Sequence, residues 1–446
     1  MTISLPSKVN TIIKELMKHG HDAYAVGGCI RDSILGRVPG DWDITTSASP
    51  YEVKEIFHRT IDTGIQHGTV TVMLGTEGFE VTTYRIDGEY EDNRHPKQVE
   101  FTKNLIEDLK RRDFTINAMA YNESVGLVDE FYGFKDIQDK MIRCVGSARE
   151  RFDEDALRIL RAVRFSAQLN FEIESDTLQA VKDKAKNLCN ISAERIREEL
   201  NKLLLSDYPE KLMVCYETGI TNIVLPEYDA MILKGAQEGK SNVKHCIQAL
   251  WQMKKLANDY DKKTQLILMW AVLLNNIIRS TSQNDEKVKE ILKRLRFDND
   301  TIGMATWLVK HHEYPYELTP TGMRKAINLI GIEAIQLLFI TQEADILAME
   351  NEEIKREMEI LHTAKELYNE IIEKNECVNL KMLHVNGKDL IDIGYAPGKD
   401  LGELLEKLLV IVLEDPKKNT KEELLKVVQD IKPLDKTVKK FIFDKC

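Results

Sequence analysis

Apolar residues near the N-terminus recur at helical spacing, and those that follow recur at the spacing of strands. Val9, Ile12, Ile13 and Leu16 lie on one face of a helix predicted over residues 5–18. Short apolar or alternating runs then predict strands at residues 23–26, 41–45, 60–62, 69–74 and 79–83. From residue 153 onward the spacing is helical. The pattern predicts an α+β fold, with a small, mixed and mostly antiparallel N-terminal sheet before an all-α remainder.

Two turn signals divide the N-terminal elements. Ser49-Pro50 predicts a helix start, with serine as the N-cap and proline in the first turn. The glycine-bearing residues 75–78 predict a hairpin between the last two strands.

Length and composition narrow the class of protein. The 446 residues allow several domains, and we divide the chain into residues 1–140, 141–204, 205–305 and 306–446. No apolar run reaches the roughly 20 residues of a membrane helix, and the first residues do not show the pattern of an export signal. Seven cysteines are scattered singly, which argues against structural zinc and disulfides. We expect a cytoplasmic protein with no membrane segment and find no sign of an obligate protein partner.

The stretch from Tyr24 to Thr46 carries the first candidate chemistry. An apolar strand leads into Gly27-Gly28, and a short helix follows. A strand, a glycine turn and a helix N-terminus together aim backbone N–H groups at an anion, and Arg31 in the first turn could hold a terminal phosphate. The sequence GGCIRD is not GxGxxG, so a dinucleotide site is not expected.

Acidic residues follow directly. If residues 41–45 form a strand, Asp41 and Asp43 point to the same face, where two carboxylates can ligate divalent cations. Glu80, on the second strand of the predicted hairpin, could supply a third carboxylate beside them. An exposed strand glutamate is the plain alternative for Glu80.

A second group of charges lies further along the chain. Lys110 to Asp113 is a charged run followed by apolar residues, typical of a charged edge on a buried element. Asp155, Arg158 and Arg161 fall at three-residue steps, which predicts one helix face with Arg164 next along it. A surface ion pair is the plain interpretation. The sharper one is base recognition, because a carboxylate beside a guanidinium complements the amino group and ring nitrogen of cytosine and of adenine, but not guanine or uracil.

Four stretches, taken in order, resemble one family. They are GGCIRDSILGRVPGDWDITT (27–46), FEVTTYR (79–85), RRDFTINA (111–118) and EDALR (154–158). Together they resemble the class II tRNA nucleotidyltransferases, which are the CCA-adding enzymes and their bacterial poly(A) polymerase relatives. The resemblance implies a polymerase-β-like nucleotidyltransferase head at 1–140, a base-recognition neck at 141–204, a body at 205–305 and a tRNA-binding tail at 306–446.

The resemblance also implies roles for individual residues. Asp41 and Asp43 would hold two Mg²⁺ ions, with Glu80 as the third carboxylate. Arg112 and Asp113 would hold the ribose and phosphates, Asp113 being the candidate for the 2′-hydroxyl. Asp155 and Arg158 would read the base of CTP or ATP, assisted by Arg161 and Arg164. Residues 85–96 match the loop that the family needs to add the terminal A.

The helical remainder offers weaker signals. His245 and Leu274-Asn275-Asn276 resemble a degraded HD-type domain, and paired amides are poor metal ligands, so we expect no phosphohydrolase activity. His311-His312 shows no carboxylate or cysteine at metal-binding spacing. Turns at 386–390 and 397–402 resemble the part of the tail that grips tRNA, and simple helix caps are nearly as good an explanation. Lys432, Lys436, Lys439 and Lys440 add a modest basic patch.

These observations predict template-independent addition of the 3′-terminal CCA of tRNA from CTP and ATP. The net charge of −11 is awkward for an RNA partner, but arginines are concentrated between residues 111 and 164, which allows a basic cleft on an acidic body. An enzyme that adds only A, a poly(A) polymerase and a non-catalytic tRNA-binding protein remain alternatives.

Overall fold

The computed structural model describes residues 2–88, 99–238, 241–350 and 352–431. The chain divides into two compact units. The first comprises residues 1–254 with 276–303, and the second comprises residues 255–275 with 304–446.

The first unit begins with a helix against a sheet. Helix α1 (Ser7–Lys18) buries Val9, Ile12, Ile13 and Leu16, as the spacing predicts, and packs on the first two strands. The other helices within the first 140 residues are α2 (Gly28–Ile34), α3 (Pro50–Ile56), α4 (Leu105–Lys110) and α5 (Gly133–Gln138). Ser49 and Glu52 form a capping box at the start of α3, which confirms the predicted start.

Within the first 140 residues the described strands form a seven-stranded mixed sheet in the order β3-β4-β5-β2-β1-β8-β9, together with a separate pair, β6 and β7. The strands are β1 (Ala23–Val26), β2 (Ile44–Thr46), β3 (Thr60–Gly64), β4 (Thr69–Leu74), β5 (Glu77–Thr83), β6 (Arg85–Asp87), β7 (Val99–Phe101), β8 (Ala120–Asn122) and β9 (Gly126–Val128). β2 lies antiparallel to β1 and parallel to β5. The predicted mixed sheet and the β4–β5 hairpin are confirmed.

Strand β2 is shorter than predicted. It begins at Ile44, so Asp41 and Asp43 lie in the segment that leads into it. The backbone of this segment still pairs with the sheet, because the N–H of Val26 donates to the carbonyl oxygen of Asp43 at 3.0 Å.

Helices dominate the rest of the first unit. Strands β10 (Met141–Ile142) and β11 (Glu172–Ile173) form a short parallel pair. The helices are α6 (Ala148–Glu154), α7 (Leu157–Leu169), α8 (Ser175–Lys184), α9 (Ala193–Leu204), α10 (Leu212–Glu217), α11 (Ile220–Val224), α12 (Pro226–Gln237), α13 (Asn242–Leu256), α14 (Lys262–Thr281), α15 (Asp285–Arg294) and α16 (Asn299–Lys310), of which α13, α14 and α16 extend across the unit boundary. α7 packs against α9.

The predicted continuous helix through Asp155 is wrong, because the chain breaks between α6 and α7. Asp155 is extended, with φ −136° and ψ 104°. Its Oδ1 accepts the N–H of Leu157 at 3.1 Å, a local bond that favours a turn over a continuing helix. Asp155 therefore does not share a helix face with Arg158 and Arg161.

The second unit is also helical. It contains α17 (Pro320–Ile330), α18 (Ile332–Ile346), α19 (Glu353–Glu373), α20 (Gly387–Asp392), α21 (Lys399–Glu414) and α22 (Lys421–Ile431). Leu404, Leu408 and Val412 of α21 form a core with Leu424 and Val428 of α22. Asn386 caps α20 with Asp389, and Gly398 precedes α21, so the two predicted tail turns do open helices. Across the ranges given above, no helix combines the length and apolar character needed to span a membrane.

Candidate active site

A glycine turn joins β1 to α2. Gly27 has φ +84° and ψ −131°, a conformation that is essentially restricted to glycine. A Cβ at this position would lie 3.1 Å from Nη1 of Arg112, so the missing side chain also lets that guanidinium approach. In the first turn of α2, which starts at Gly28, Arg31 donates to Oδ1 of Asn117 at 2.7 Å and to the carboxylate of Asp32 at 2.9 Å.

The turn supports a test of its local geometry. Gly27→Ala is expected to destabilise the first unit by about 2 kcal/mol, because alanine is strained at this φ, and to raise the KM for nucleotides by displacing Arg112. Gly36→Ala is the matched control, because Gly36 also has a positive φ (+70°) but a Cβ there meets no atom within 4 Å. Thermal unfolding measures the loss of stability, and steady-state kinetics measures the KM. Equal nucleotide KM values for Gly27→Ala and Gly36→Ala would show that Gly27 does not control the position of Arg112.

Three predicted carboxylates line one cavity near the start of β2. The parallel register pairs Ile44 with Val81, which places Asp43 and Glu80 side by side, one residue earlier. Asp41, Asp43 and Glu80 line one cavity. The pKa of Asp43 is raised overall. Burial by the surrounding protein is the largest cause, Arg112 acts to lower the pKa, and Asp41 acts to raise it. Within the described ranges, no three acidic, histidine or cysteine side chains converge as a metal-binding cluster.

Arginines line a second cavity that shares two of these carboxylates. Arg85, Arg111 and Arg112 surround it together with Asp43 and Glu80. The fully buried Asp108, which the sequence did not single out, anchors two of the arginines. Its Oδ1 accepts from Nη2 of Arg111 at 2.7 Å, and its Oδ2 accepts from Nη2 of Arg112 at 3.4 Å. Burial acts to raise the pKa of Asp108, but Arg112 and Arg111 lower it overall, so the carboxylate holds them as an anion.

Asp113 is buried, and both oxygens of its carboxylate accept internal hydrogen bonds. Its Oδ2 accepts from Nε and Nη2 of Arg161 at 2.9 and 2.6 Å. Its Oδ1 accepts from the N–H of Phe114 and from Nδ2 of Asn117. Asn117 therefore links Asp113 to Arg31, a connection that sequence reasoning missed although Asn117 stands in the RRDFTINA stretch.

The charge of Asp113 predicts a pH-dependent stability. Burial acts to raise the pKa of Asp113, but Arg161 and then Arg158 hold it well below its usual value. Because the folded pKa is depressed, its contribution is complete above the unfolded value of about 3.9 and is lost as the pH falls toward the folded value. Asp113→Asn should cost about 2 kcal/mol at pH 7, and its difference from the native protein should narrow below about pH 4. Chemical denaturation from pH 7 to 3 measures this difference, and a gap that widens on acidification would contradict the assignment.

The predicted base-reading residues do not pair with each other. Asp155 Oδ2 accepts from Nη2 of Arg195 at 2.8 Å. Arg158 donates from Nη1 to Glu154 at 2.6 Å and from Nη2 to the carbonyl oxygen of Arg111 at 3.0 Å. The fold thus brings Arg195 of α9 to Asp155, from 40 residues away in sequence.

The other two arginines of α7, Arg161 and Arg164, each pair with a buried carboxylate. Arg161 bonds Asp113, and Nε of Arg164 donates to Oε2 of Glu199 at 2.7 Å. The buried guanidinium of Arg164 stacks on the ring of Phe165, 3.5 Å from its centroid. Both arginines are therefore set by internal contacts.

The other predicted features lie elsewhere. His245 Nε2 lies 3.0 Å from Nη2 of Arg279. His312, for which the sequence showed no carboxylate partner, has Asp345 at 3.5 Å in the second unit. Residues 89–96 of the predicted loop and the four C-terminal lysines, Lys432, Lys436, Lys439 and Lys440, lie outside the described residues.

Comparison with known proteins identifies the family. The poly(A) polymerase head domain matches residues 23–143, the RNA- and SrmB-binding site of polymerase A matches residues 170–232, and tRNA nucleotidyltransferase domain 2 matches residues 261–428. The chain is 35% identical to the CCA-adding enzyme of Lactobacillus helveticus, covering 95% of this chain and 97% of the relative. It is 36% identical to that of Lactiplantibacillus plantarum, covering 93% of each.

A solved structure of a CCA-adding enzyme also matches this chain. The Bacillus stearothermophilus CCA-adding enzyme in complex with CTP matches with a TM-score of 0.71 and 30% identity, over 94% of this chain and 96% of that one. The resemblance found in the sequence motifs is confirmed, and the chain belongs to the CCA-adding enzymes of the tRNA nucleotidyltransferase and poly(A) polymerase family.

Proposed function

We propose that this protein adds and repairs the 3′-terminal CCA of tRNA from CTP and ATP, without a nucleic-acid template. The observation that carries the proposal is the cavity in which Asp43 and Glu80 face Arg85, Arg111 and Arg112. Carboxylates there suit divalent cations, and guanidinium groups suit the phosphates of a nucleotide. Relatives that match nearly the whole chain are named CCA-adding enzymes, and one is described in complex with CTP.

The acidic residues fit a magnesium site. Asp41 and Asp43 line one cavity, and Asp41 raises the pKa of Asp43, as two carboxylates brought close together do. Hard oxygen ligands of this kind are those that Mg²⁺ prefers. Asp41 and Asp43 would hold two Mg²⁺ ions, which when bound would neutralise phosphate charge and favour ionisation of the attacking hydroxyl.

The protein's own groups orient the reaction. In this proposal the arginines, which line the cavity with Glu80, hold the triphosphate, and Glu80 accepts a hydrogen bond from the RNA 3′-hydroxyl. A bond forms between the 3′-oxygen and the α-phosphorus while the hydroxyl proton passes to Glu80. The bond from the α-phosphorus to the bridging oxygen breaks, and pyrophosphate leaves with that electron pair.

Base choice is assigned to Asp155 and Arg158. Cytosine and adenine each present an amino donor beside a ring-nitrogen acceptor, which a carboxylate and a guanidinium can satisfy. A carboxylate has about four acceptor sites, and a guanidinium has five donors. The contacts of Asp155 with Arg195 and of Arg158 with Glu154 set their starting positions.

The likeness to CCA-adding enzymes also supports a division of the chain into functional segments. We assign catalysis to residues 1–140, base recognition to residues 141–204, a degenerate HD-like body to residues 205–305 and tRNA binding to residues 306–446. The described cysteines, among them Cys29 and Cys189, form no disulfide with one another, which suits the cytoplasm where tRNA is processed.

Single-nucleotide incorporation tests the proposal. Transcripts of a tRNA ending before CCA, after C and after CC are each offered one nucleotide triphosphate at a time with Mg²⁺. The expected result is addition of C to the first two and of A to the third. Addition of A alone to the third would indicate an A-adding enzyme, and long A tails would indicate a poly(A) polymerase. Binding of tRNA without any addition would indicate a non-catalytic tRNA-binding protein.

A further inference from the structure

One aromatic ring in α7 lies among the guanidinium groups of three described arginines. The ring belongs to Phe165, which is only 4% exposed. The guanidinium carbons of Arg31, Arg161 and Arg164 lie 5.1, 5.3 and 3.5 Å from the centroid of this ring. All three distances are within the roughly 6 Å over which the face of an aromatic ring attracts a cation. Phe165 is therefore a common neighbour of arginines that the sequence associates with different parts of a nucleotide.

Phe165 brings together separate stretches of the chain. Arg31 is in α2, which follows the glycine turn, whereas Arg161 and Arg164 share α7 with Phe165. Phe114, from the RRDFTINA stretch, is fully buried and meets Phe165 edge-on, with the ring centroids 5.7 Å apart and the ring planes at 78°. Because aromatic pairs favour such edge-to-face arrangements, this contact holds the face of Phe165 in a defined position.

The arginines of α7 repel each other. Burial lowers the pKa of Arg164, Glu199 acts to raise it, and Arg161 acts to lower it as a neighbouring like charge. Like charges favour separation, so arginines grouped in this way need contacts that hold them together. The ring of Phe165 supplies such a contact to both.

An uncharged partner has a specific advantage for these side chains. Each of the arginines already pairs with a carboxylate, and the pairs are Arg31 with Asp32, Arg161 with Asp113 and Arg164 with Glu199. A further carboxylate would cancel more of the positive charge that attracts a triphosphate. An aromatic ring attracts each guanidinium through its quadrupole and adds no net charge. The ring can therefore order the arginines without weakening their attraction for an anion.

We propose, as an extension of the proposed function, that Phe165 is a positioning residue for the incoming nucleotide. Its ring holds Arg31, the candidate for a terminal phosphate, in a fixed arrangement with Arg161 and Arg164, the candidates that assist at the base. Leucine at this position would remain apolar but would offer no aromatic face, so the guanidinium groups would gain freedom. The nucleotide would then bind less tightly, and the choice of base would become less strict. RNA affinity is spread over many contacts and should change little.

A second buried phenylalanine provides the matched control. Phe171 is 2% exposed and lies in the same unit, and among the described residues no guanidinium lies over its ring. Phe165→Leu should raise the Kd for CTP and for ATP about tenfold and leave the Kd for tRNA within about twofold of the native value. Phe171→Leu loses the same atoms from a similarly buried position and should change neither Kd. Phe165→Tyr retains the aromatic face and should keep the native Kd for both nucleotides.

Base choice and the coupling to Arg31 separate positioning from lost packing. In single-nucleotide incorporation, Phe165→Leu should lower the preference for CTP over UTP, as a ratio of kcat/KM values, about threefold, and Phe171→Leu should not. A double-mutant cycle then tests the contact with Arg31. Arg31→Gln should itself weaken CTP binding, and in that background Phe165→Leu should raise the Kd for CTP by only about threefold.

Equal nucleotide Kd values for Phe165→Leu and Phe171→Leu would overturn the proposal, as would an unchanged preference for CTP or additive effects in the cycle with Arg31→Gln. If Phe165→Leu does not fold, Phe165→Met and Phe171→Met provide the same comparison. Isothermal titration calorimetry gives the Kd without turnover. If the native protein added neither C nor A, the proposed function would fail, and a higher Kd for CTP in Phe165→Leu than in Phe171→Leu would still support the positioning role.

Discussion

Asp41→Ala and Asp43→Ala are each expected to lower the rate of nucleotide incorporation by about 10³-fold or more, while the Kd for tRNA changes less than about twofold. The reason is that each carboxylate would hold a metal ion at the reacting phosphate, whereas RNA affinity is spread over many contacts. Single-turnover incorporation and a tRNA binding isotherm measure the two quantities.

An exposed aspartate serves as the control for this experiment. Asp62 lies in β3, where it pairs with Lys54 at 2.9 Å, and Asp62→Ala should retain near-native turnover. Substantial turnover by either metal-site variant would refute the metal assignment. So would a variant that loses tRNA binding while incorporating nucleotide normally at saturating tRNA.

The second large effect concerns base choice. Exchanging Asp155→Arg together with Arg158→Asp should lower kcat/KM for CTP and ATP at least about 100-fold, because buried donors and acceptors would then oppose the base edges. The observed partners of Asp155 and Arg158 must also be changed before a gain for UTP or GTP is expected. The exchange alone puts like charges beside Arg195 and Glu154, so a gain for UTP or GTP should require Arg195→Gln and Glu154→Gln as well.

The double variant Arg195→Gln with Glu154→Gln is the matched background for this test. In that background, Asp155→Arg together with Arg158→Asp should raise kcat/KM for UTP and GTP relative to kcat/KM for CTP and ATP. Unchanged use of CTP and ATP after the exchange would show that Asp155 and Arg158 do not read the base.

The elements that sequence predicts well are those set by local pattern. The apolar face of α1 and the capping box at Ser49 depend on residues within a few positions of one another, and both are observed. The placement of Glu80 beside Asp43 required only that two short strands be neighbours in a sheet.

The features that sequence missed depend on distant partners. Asp155, Arg158 and Arg161 have the spacing of one helix face. The carboxylate of Asp155 instead accepts hydrogen bonds from the backbone N–H of Leu157 and from Arg195, so the helical period alone gave the wrong interpretation. Asn117 and Asp108 are buried polar residues, and only the assembled fold shows that they orient Arg31, Arg111 and Arg112. For Asn117, its position between the apolar Ile116 and Ala118 is the signal that could have identified it.

We expect this one protein to add C, C and A in order and then to stop. The most direct measurement extends a tRNA transcript lacking CCA with all four nucleotide triphosphates at equal concentration, followed by sequencing of the 3′ ends. We predict that the products end in CCA, with no longer tails and no U or G. Products that remain unextended, that carry A tails or that incorporate U and G as readily as C and A would contradict the account.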